Sequence, residues 1–288
     1  MLTVTAPAKL NLTLEVLSRR NDGFHEISSV IQTINLCDRF EFHPDKKITF
    51  RGDIPGWLPE ESLVSRAAAL LKQDSGCKAG AIIELSKKIP LLSGLGGDSS
   101  DAAAVLTGLS ELWGLEYPPG ELVRLASQLG SDVAFSLSGG TAMIQGRGEL
   151  VSPLPPLPET WAVLLVPDVP RAVGKTGRLY AALKEAHYSS GQATEDLVAL
   201  LTRGGDVSPD NLFNVFDGVA YGIFGGLGDY RQRFLEAGAS GVHLAGSGPT
   251  LYTLLKDKAQ AEKIYANLKN QKLEAYLVET IAGTGCPE

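Results

Sequence analysis

The 288-residue chain is longer than one average domain and suits two domains sharing a cleft. Hydrophobic residues make up 44% and charged residues 20%, an ordinary globular composition that excludes a fibrous or disordered chain. The net charge of -7 sets the surface against phosphodiester backbones, which disfavours nucleic acid as a main partner and makes any phosphate site local.

Residues 10–16 alternate apolar Leu10, Leu12, Leu14 and Val16 with polar Asn11, Thr13 and Glu15, the period of a half-buried strand, which puts Lys9 and Asn11 on one face. A turn at Asn21-Asp22-Gly23 leads to a second extended stretch, 27–42. Apolar Val64, Ala67, Ala68 and Leu71 predict a helix over 61–72, and a short strand follows over 81–85. Residues 90–100 are glycine-rich, and Ala102, Val105, Leu106, Leu109, Leu112 and Trp113 mark one face of a helix that ends at Gly114. The next helix, 121–129, stops at Gly130, read as a left-handed cap, and Asp132 opens the following element.

After the apolar run 141–144, the prolines between Ser152 and Pro158 break regular structure and mark a linker, 153–160, between domains 1–152 and 161–288. The second half reads as a strand (161–166), a helix near 176–186, and helical segments broken at Gly204-Gly205. A strand–glycine turn–strand over 241–255, a helix over 259–268 and a strand over 274–278 complete it. The expected fold class is therefore α+β, two domains with the active site in the cleft between them. Cys37, Cys77 and Cys286 are too scattered for a disulfide framework, which fits a reducing cytoplasmic setting. The four histidines lack ligand spacing, and no apolar run is long enough to span a bilayer.

The run Pro90-Leu91-Leu92-Ser93-Gly94-Leu95-Gly96-Gly97-Asp98-Ser99-Ser100 is the most informative stretch. Glycines directly before a helix N-terminus let an anion approach unpaired N–H groups at the positive end of the helix dipole. A glycine turn with a serine cap is the bland alternative. The spacing lacks the third glycine of a dinucleotide fingerprint and the lysine of a P-loop.

The pattern P-x-x-x-G-L-G-G-x-S-S-x-A-A resembles the ATP loop of the GHMP kinase superfamily. Pro7-Ala8-Lys9-Leu10-Asn11-Leu12 resembles its first motif and Ala245-Gly246-Ser247-Gly248-Pro249-Thr250 its third, all in the expected order. Within the superfamily, Arg20-Asn21-Asp22-Gly23-Phe24-His25 and the pair Thr176 and Tyr180 resemble the branch whose acceptor is a cytidine-diphosphate-linked polyol. Phe24 stands where that branch usually has Tyr, and Ser62 where it often has Asn.

The resemblance implies an ATP-dependent kinase that phosphorylates the polyol in isoprenoid precursor synthesis. It implies residues 90–100 as the ATP loop, magnesium carried by the nucleotide with Ser99 or Ser100 as ligand, and Asn11, Phe24, His25, Thr176 and Tyr180 as acceptor-binding. Lys9 and Asp132 are implied as catalytic: Asp132 orients the acceptor hydroxyl and Lys9 neutralises charge. Local sequence alone also permits Asp132 as a helix cap after Gly130 and Lys9 as a solvated strand residue, and the paired Lys87 and Lys88 read as a solvated face. The competing functions are another kinase of the superfamily acting on mevalonate, homoserine or a sugar, a non-catalytic sensor, and an RNA-binding module, the last disfavoured by acidity. The protein is expected to be a monomer or homodimer without a membrane or nucleic-acid partner.

Overall fold

A computed structural model describes all residues except 53, 56, 119, 172, 173, 287 and 288. The first part runs β1 (Leu2–Arg19), β2 (His25–Asp45), β3 (Ile48–Arg51), α1 (Leu63–Ser75), β4 (Gly80–Ser86), α2 (Gly97–Leu112), α3 (Glu121–Leu129), α4 (Ser131–Ser138), β5 (Thr141–Gly146) and β6 (Leu150–Pro153). It continues with β7 (Trp161–Val166), α5 (Lys175–Ala182), α6 (Gln192–Thr202), β8 (Phe213–Asn214), α7 (Ala220–Ile223) and α8 (Leu227–Glu236). The last elements are β9 (His243–Leu244), β10 (Leu251–Leu255), α9 (Lys258–Asn270) and β11 (Glu274–Glu279). Among the described residues, no helix is long and apolar enough to cross a membrane.

Two sheets form the frame. The larger is ordered β3-β4-β2-β1-β8, with β5 pairing the first half of β2 and β6 lying beyond it; the smaller is β11-β7-β10-β9. The proline segment is thus not wholly irregular, because Ser152 and Pro153 pair with β5 as an edge strand, where a missing N–H is tolerated. The two-residue β8 joins the first sheet by running parallel to β1.

The alternation in β1 is real, yet its polar face is not solvated. Lys9, Asn11, Thr13 and Glu15 are all buried. Thr13 and Glu15 are satisfied by α6: Glu15 Oε2 accepts from the Thr194 amide at 2.8 Å, and Thr194 Oγ1 donates to Thr13 Oγ1 at 2.9 Å. The apolar side of β1 enters two cores, Leu14 and Val16 packing with Val163 and Phe234, and Leu10 and Leu12 with Leu164 and Tyr252. β1 is therefore the shared wall of both sheets, which fixes Lys9 and Asn11 between them. A separate core packs α1 and α2 onto Phe40, Phe42 and Ile83; Gly108 is required there because a Cβ would lie 2.3 Å from the Phe42 ring.

Three expectations need correction. Gly130 is not a left-handed cap: its φ of 166 is extended backbone, and it joins α3 directly to α4. Lys87 is not on a solvated face, as described below. The spacing of the cysteines misled as well, because the fold brings the sulfurs of Cys37 and Cys286 into bonding contact with a Cα separation of 6.5 Å, within disulfide reach. The terminal segment gets there by donating the Ile281 amide to Thr33 O at 3.0 Å and accepting from Thr5 Oγ1 at Thr284 O at 3.0 Å.

Candidate active site

A cleft of about 1150 Å³ opens between the first motif, the glycine loop and the 246–248 turn. It is lined by Lys9 and Asn11, by Pro90, Leu91, Leu92, Ser93 and Gly94, by Gly96, Gly97, Asp98 and Ser99, and by Asp132, Phe24, His25, Thr176 and Tyr180. Two residues of the expected ATP loop do not line it. Leu95 is fully buried in the core, its carbonyl accepting from the Lys9 amide at 2.9 Å, and Ser100 is buried in the first turn of α2. The turns of the loop tuck Leu95 into the core beside Ala8, Leu10 and Ile89, and helical geometry turns the Ser100 hydroxyl inward.

The loop ends at Gly96, whose φ of 76 lies in the left-handed region, and no side chain caps α2. The N–H groups of the first turn therefore remain for a ligand, and the helix dipole favours an anion there. A Cβ at Gly96 would lie 2.8 Å from Lys9 Cγ, so this glycine also makes room for the lysine stem. Replacing Gly96 by Val is expected to reduce kcat together with ATP affinity, because the branched side chain displaces Lys9 and adds about 1–2 kcal/mol of backbone strain. Nucleotide titration beside a turnover assay checks this: loss of ATP affinity with full kcat at saturation would contradict it.

Lys9 Nζ sits 3.2 Å from Asp132 Oδ2 and donates to Asn11 Oδ1 at 2.6 Å. Asn11 Nδ2 donates to Ser29 Oγ at 2.9 Å, and the Asn11 carbonyl accepts from Tyr252 Oη at 2.6 Å. This network orients the amide and leaves its oxygen for the lysine. Asp132 stands at the second position of α4 and is not its cap; the capping position belongs to Gly130, which has no side chain to offer. Its side chain is 37% exposed toward the cleft, against 8% for that of Lys9. Gly246, φ 52, closes the turn over this pair: a Cβ there would lie 3.1 Å from Asn11 Oδ1 and 3.3 Å from Lys9 Nζ.

At the other end of the cleft, Arg20 and Asp22 act on the backbone. Asp22 Oδ1 accepts from the Phe24 amide at 3.0 Å, Arg20 bridges Asp22 at 3.3 Å, and the turn presents Phe24 with 56% of its surface exposed. The Arg147 guanidinium lies 4.9 Å from the Phe24 ring centre. His25 stacks on Tyr180 at 4.9 Å, and Tyr188 meets it edge-on. Burial, then the charge of Arg19, holds the His25 imidazole below its usual value, so at neutral pH it carries one donor and one acceptor nitrogen. Burial and the charge of Asp132 push the Tyr180 hydroxyl up to about 12, so it stays protonated. Thr176 Oγ1 lies 2.9 Å from Ser247 Oγ. Ser62 lines the cleft and caps α1, accepting from the Val64 amide at 3.2 Å.

Sequence reasoning missed two lysines. Lys87 is buried between Asp38 and Asp101, pairing with Asp101 Oδ2 at 2.7 Å and with Asp38 Oδ2 more closely still. Asp38 Oδ1 also accepts from the Ile89 amide at 2.9 Å, so this triad ties the start of the glycine loop to β2 and α2. Burial, then the Asp38 charge, pushes the Asp101 carboxyl well above the usual carboxylate range despite the neighbouring ammonium. Lys175, the second, contacts the 246–248 turn. Their partners are remote in sequence, so no local signal marks either residue.

A family model described as "GHMP kinases N terminal domain" matches residues 62–140, and one described as "GHMP kinases C terminal" matches residues 195–275. A 4-diphosphocytidyl-2-C-methyl-D-erythritol kinase from Dehalococcoides mccartyi is 52% identical over 98% of this chain and 99% of its own. The enzyme of that name from Pelotomaculum thermopropionicum is 39% identical over 97% of this chain and 98% of its own. A crystal structure of 4-(cytidine 5'-diphospho)-2C-methyl-D-erythritol kinase superposes with a TM-score of 0.82 at 33% identity, covering 99% of this chain and all of the other. A homoserine kinase from Cytophaga hutchinsonii, at 21% identity and a TM-score of 0.73, shares the fold. With the glycine loop, the first motif and the glycine turn assembled around one cleft, and relatives this similar over almost every residue, the chain belongs to the GHMP kinases and, within them, to the 4-diphosphocytidyl-2-C-methyl-D-erythritol kinases.

Proposed function

We propose that the chain transfers the γ-phosphoryl group of ATP to the C2 hydroxyl of 4-(cytidine 5'-diphospho)-2-C-methyl-D-erythritol, giving the 2-phosphate and ADP in non-mevalonate isoprenoid precursor synthesis. The observation that carries this reading is the 3.2 Å pair of Lys9 and Asp132, in one cleft with an uncapped helix N-terminus and an aromatic–histidine cluster. Phosphoryl transfer asks the protein for positioning and positive charge. The amides opening α2 bind the ATP phosphates, Lys9 offsets the charge on the transferring group, and Asn11 holds an acceptor hydroxyl. Asp132 accepts that hydroxyl's proton as the new O–P bond forms and the bond to the ADP oxygen breaks.

Of the two serines that open α2, Ser99 reaches the cleft and would hold magnesium arriving with the nucleotide; Ser100 does not line the cleft, and its Oγ is buried without a hydrogen-bond partner among the described residues. The ion, when bound, screens phosphate charge. At the acceptor end, Phe24 and Tyr180 offer stacking faces for cytosine, His25 reads its edge and Thr176 lies beside the turn. The two-domain division at 153–160 and a cytoplasmic setting, where ATP is available, belong to the same reading.

Two measurements test it. ADP release assayed side by side with the cytidine-linked methylerythritol, mevalonate and homoserine is expected with the first alone; release with mevalonate or homoserine instead would overturn the acceptor assignment. Phe24→Ala is expected to raise KM for the cytidine substrate on the order of 10-fold, the worth of one base–aromatic stack, with little effect on stability because the ring is already exposed. An unchanged KM would remove Phe24 from the pyrimidine site.

A further inference from the structure

Lys175 contradicts two local rules. It is the first residue of α5, where the helix dipole disfavours a cation, and it is only 7% exposed, where an ammonium is costly unless paired. No carboxylate pairs with it among the described residues. Its Nζ donates instead to neutral oxygens of the 246–248 turn: Ser247 Oγ at 2.8 Å, Ser247 O at 3.1 Å and, more closely still, Gly248 O. An ammonium has three protons, and all are used on one turn.

That turn touches the rest of the phosphoryl-transfer site. Gly246 packs on Lys9 and Asn11, and a Cβ at Gly94 of the glycine loop would lie 2.2 Å from Ala245 O and 2.8 Å from Gly248 N. The Thr250 amide donates to Ser93 O at 3.2 Å, and Asn214 Nδ2 donates to Gly246 O at 2.8 Å from the opposite side. Moving residues 246–248 therefore moves both the roof over Lys9 and the wall of the ATP loop. Lys175 itself lines the cleft, on the same side as Lys9 and close enough for the two charges to oppose each other.

We propose that Lys175 is a positioning residue for phosphoryl transfer, a charged strut that holds the 246–248 turn against Lys9, Asn11 and the glycine loop. The proposal rests on the kinase reading. A buried cation without a counter-ion is well placed in a cleft that fills with phosphates, because the anions then supply the missing negative charge. The charged groups facing Lys175 are Lys9 on β1 and Arg171 in the segment before α5, and Tyr180 on its own helix stays neutral. Burial, then the charges of Lys9 and Arg171, holds the Lys175 ammonium down to about 8. The strut is thus protonated below that pH and lost as pH rises through it.

The test is the pH profile of kcat/KM for wild type, Lys175→Met and Lys175→Arg, with melting temperature recorded for each. Lys175→Met is expected to stay folded and lose on the order of 10- to 100-fold in kcat, the scale of a misplaced reacting group. It should also lose the wild-type decline above about pH 8. Lys175→Arg, which keeps its charge, should recover part of the rate and carry the decline to higher pH. Wild-type kcat in Lys175→Met, or a loss equal at every pH with the alkaline decline intact, would overturn the proposal. Should Lys175→Met not fold, Ser247→Ala, which removes one of the oxygens, must still lower kcat and shift the decline; an unchanged rate and profile there would overturn it equally. If wild type turns over mevalonate or homoserine instead, the acceptor reading fails, and the same profiles with that acceptor decide the role of Lys175.

Discussion

Asp132→Asn is expected to lower kcat by about 10²–10³-fold at saturating ATP and acceptor, with a change of only a few degrees in melting temperature. The substitution is nearly isosteric and removes the charge and the capacity to take a proton. The bland alternative, a helix cap, would cost about 1 kcal/mol of stability and no activity. The geometry already separates the two: Asp132 is the second residue of α4, past the capping position held by Gly130, its side chain makes no capping hydrogen bond, and its carboxylate faces Lys9 at 3.2 Å. Turnover within a few-fold of wild type, measured by ADP release, would leave Asp132 as a structural partner of Lys9 and nothing more.

The part of this architecture that could be read from the chain is the part with local periodicity. The alternation in β1 gives the strand and places Lys9 beside Asn11, and the apolar spacing of α1, α2 and α9 gives those helices. α4 has no such signal. It is eight residues long, bounded by Gly130 and Gly139, and its helical state depends on packing Val133 and Ala134 against α2 and α3. The exposure of a polar residue is equally invisible locally. Thr13 and Glu15 are buried by α6, which follows them by about 180 residues, so a strand that reads as half-solvated is covered on both sides.

The site divides along the same line. Residues 90–100 announce an anion site because their chemistry is local: glycines, hydroxyls and a helix start in one run. Lys87 reads as solvent-facing because its carboxylates lie 49 and 14 residues away, and Lys175 is silent because its oxygens lie 72 and 73 residues away. The pairing of Cys37 with Cys286 spans 249 residues and is beyond any spacing argument. Long-range pairing is a product of topology, here the central place of β1 and the return of the terminal segment to β2.

Lys9→Met is the companion experiment and is expected to cost a further large factor alone, about 10²–10³ in kcat, yet little when Asp132 is already Asn. Methionine keeps most of the apolar stem, so the contact with Gly96 persists while the ammonium disappears. Three things then fail together. Asp132 loses its only cation among the described residues, Asn11 Oδ1 loses its 2.6 Å donor, and, in the proposed mechanism, the transferring phosphoryl group loses the positive charge with which Lys9 would offset its own. Groups that act as a unit give strongly non-additive losses, so the double variant should fall far short of the product of the single ones. Stability moves in a smaller range, because the Asn11 side-chain amide still donates to Ser29 Oγ at 2.9 Å and its main-chain carbonyl still accepts from Tyr252 Oη at 2.6 Å. Binding of ATP should survive in Lys9→Met, since the amides opening α2 do not depend on the ammonium. Losses that simply multiply in the double variant would mean that Lys9 and Asp132 work independently, and the pair could no longer be treated as one catalytic unit.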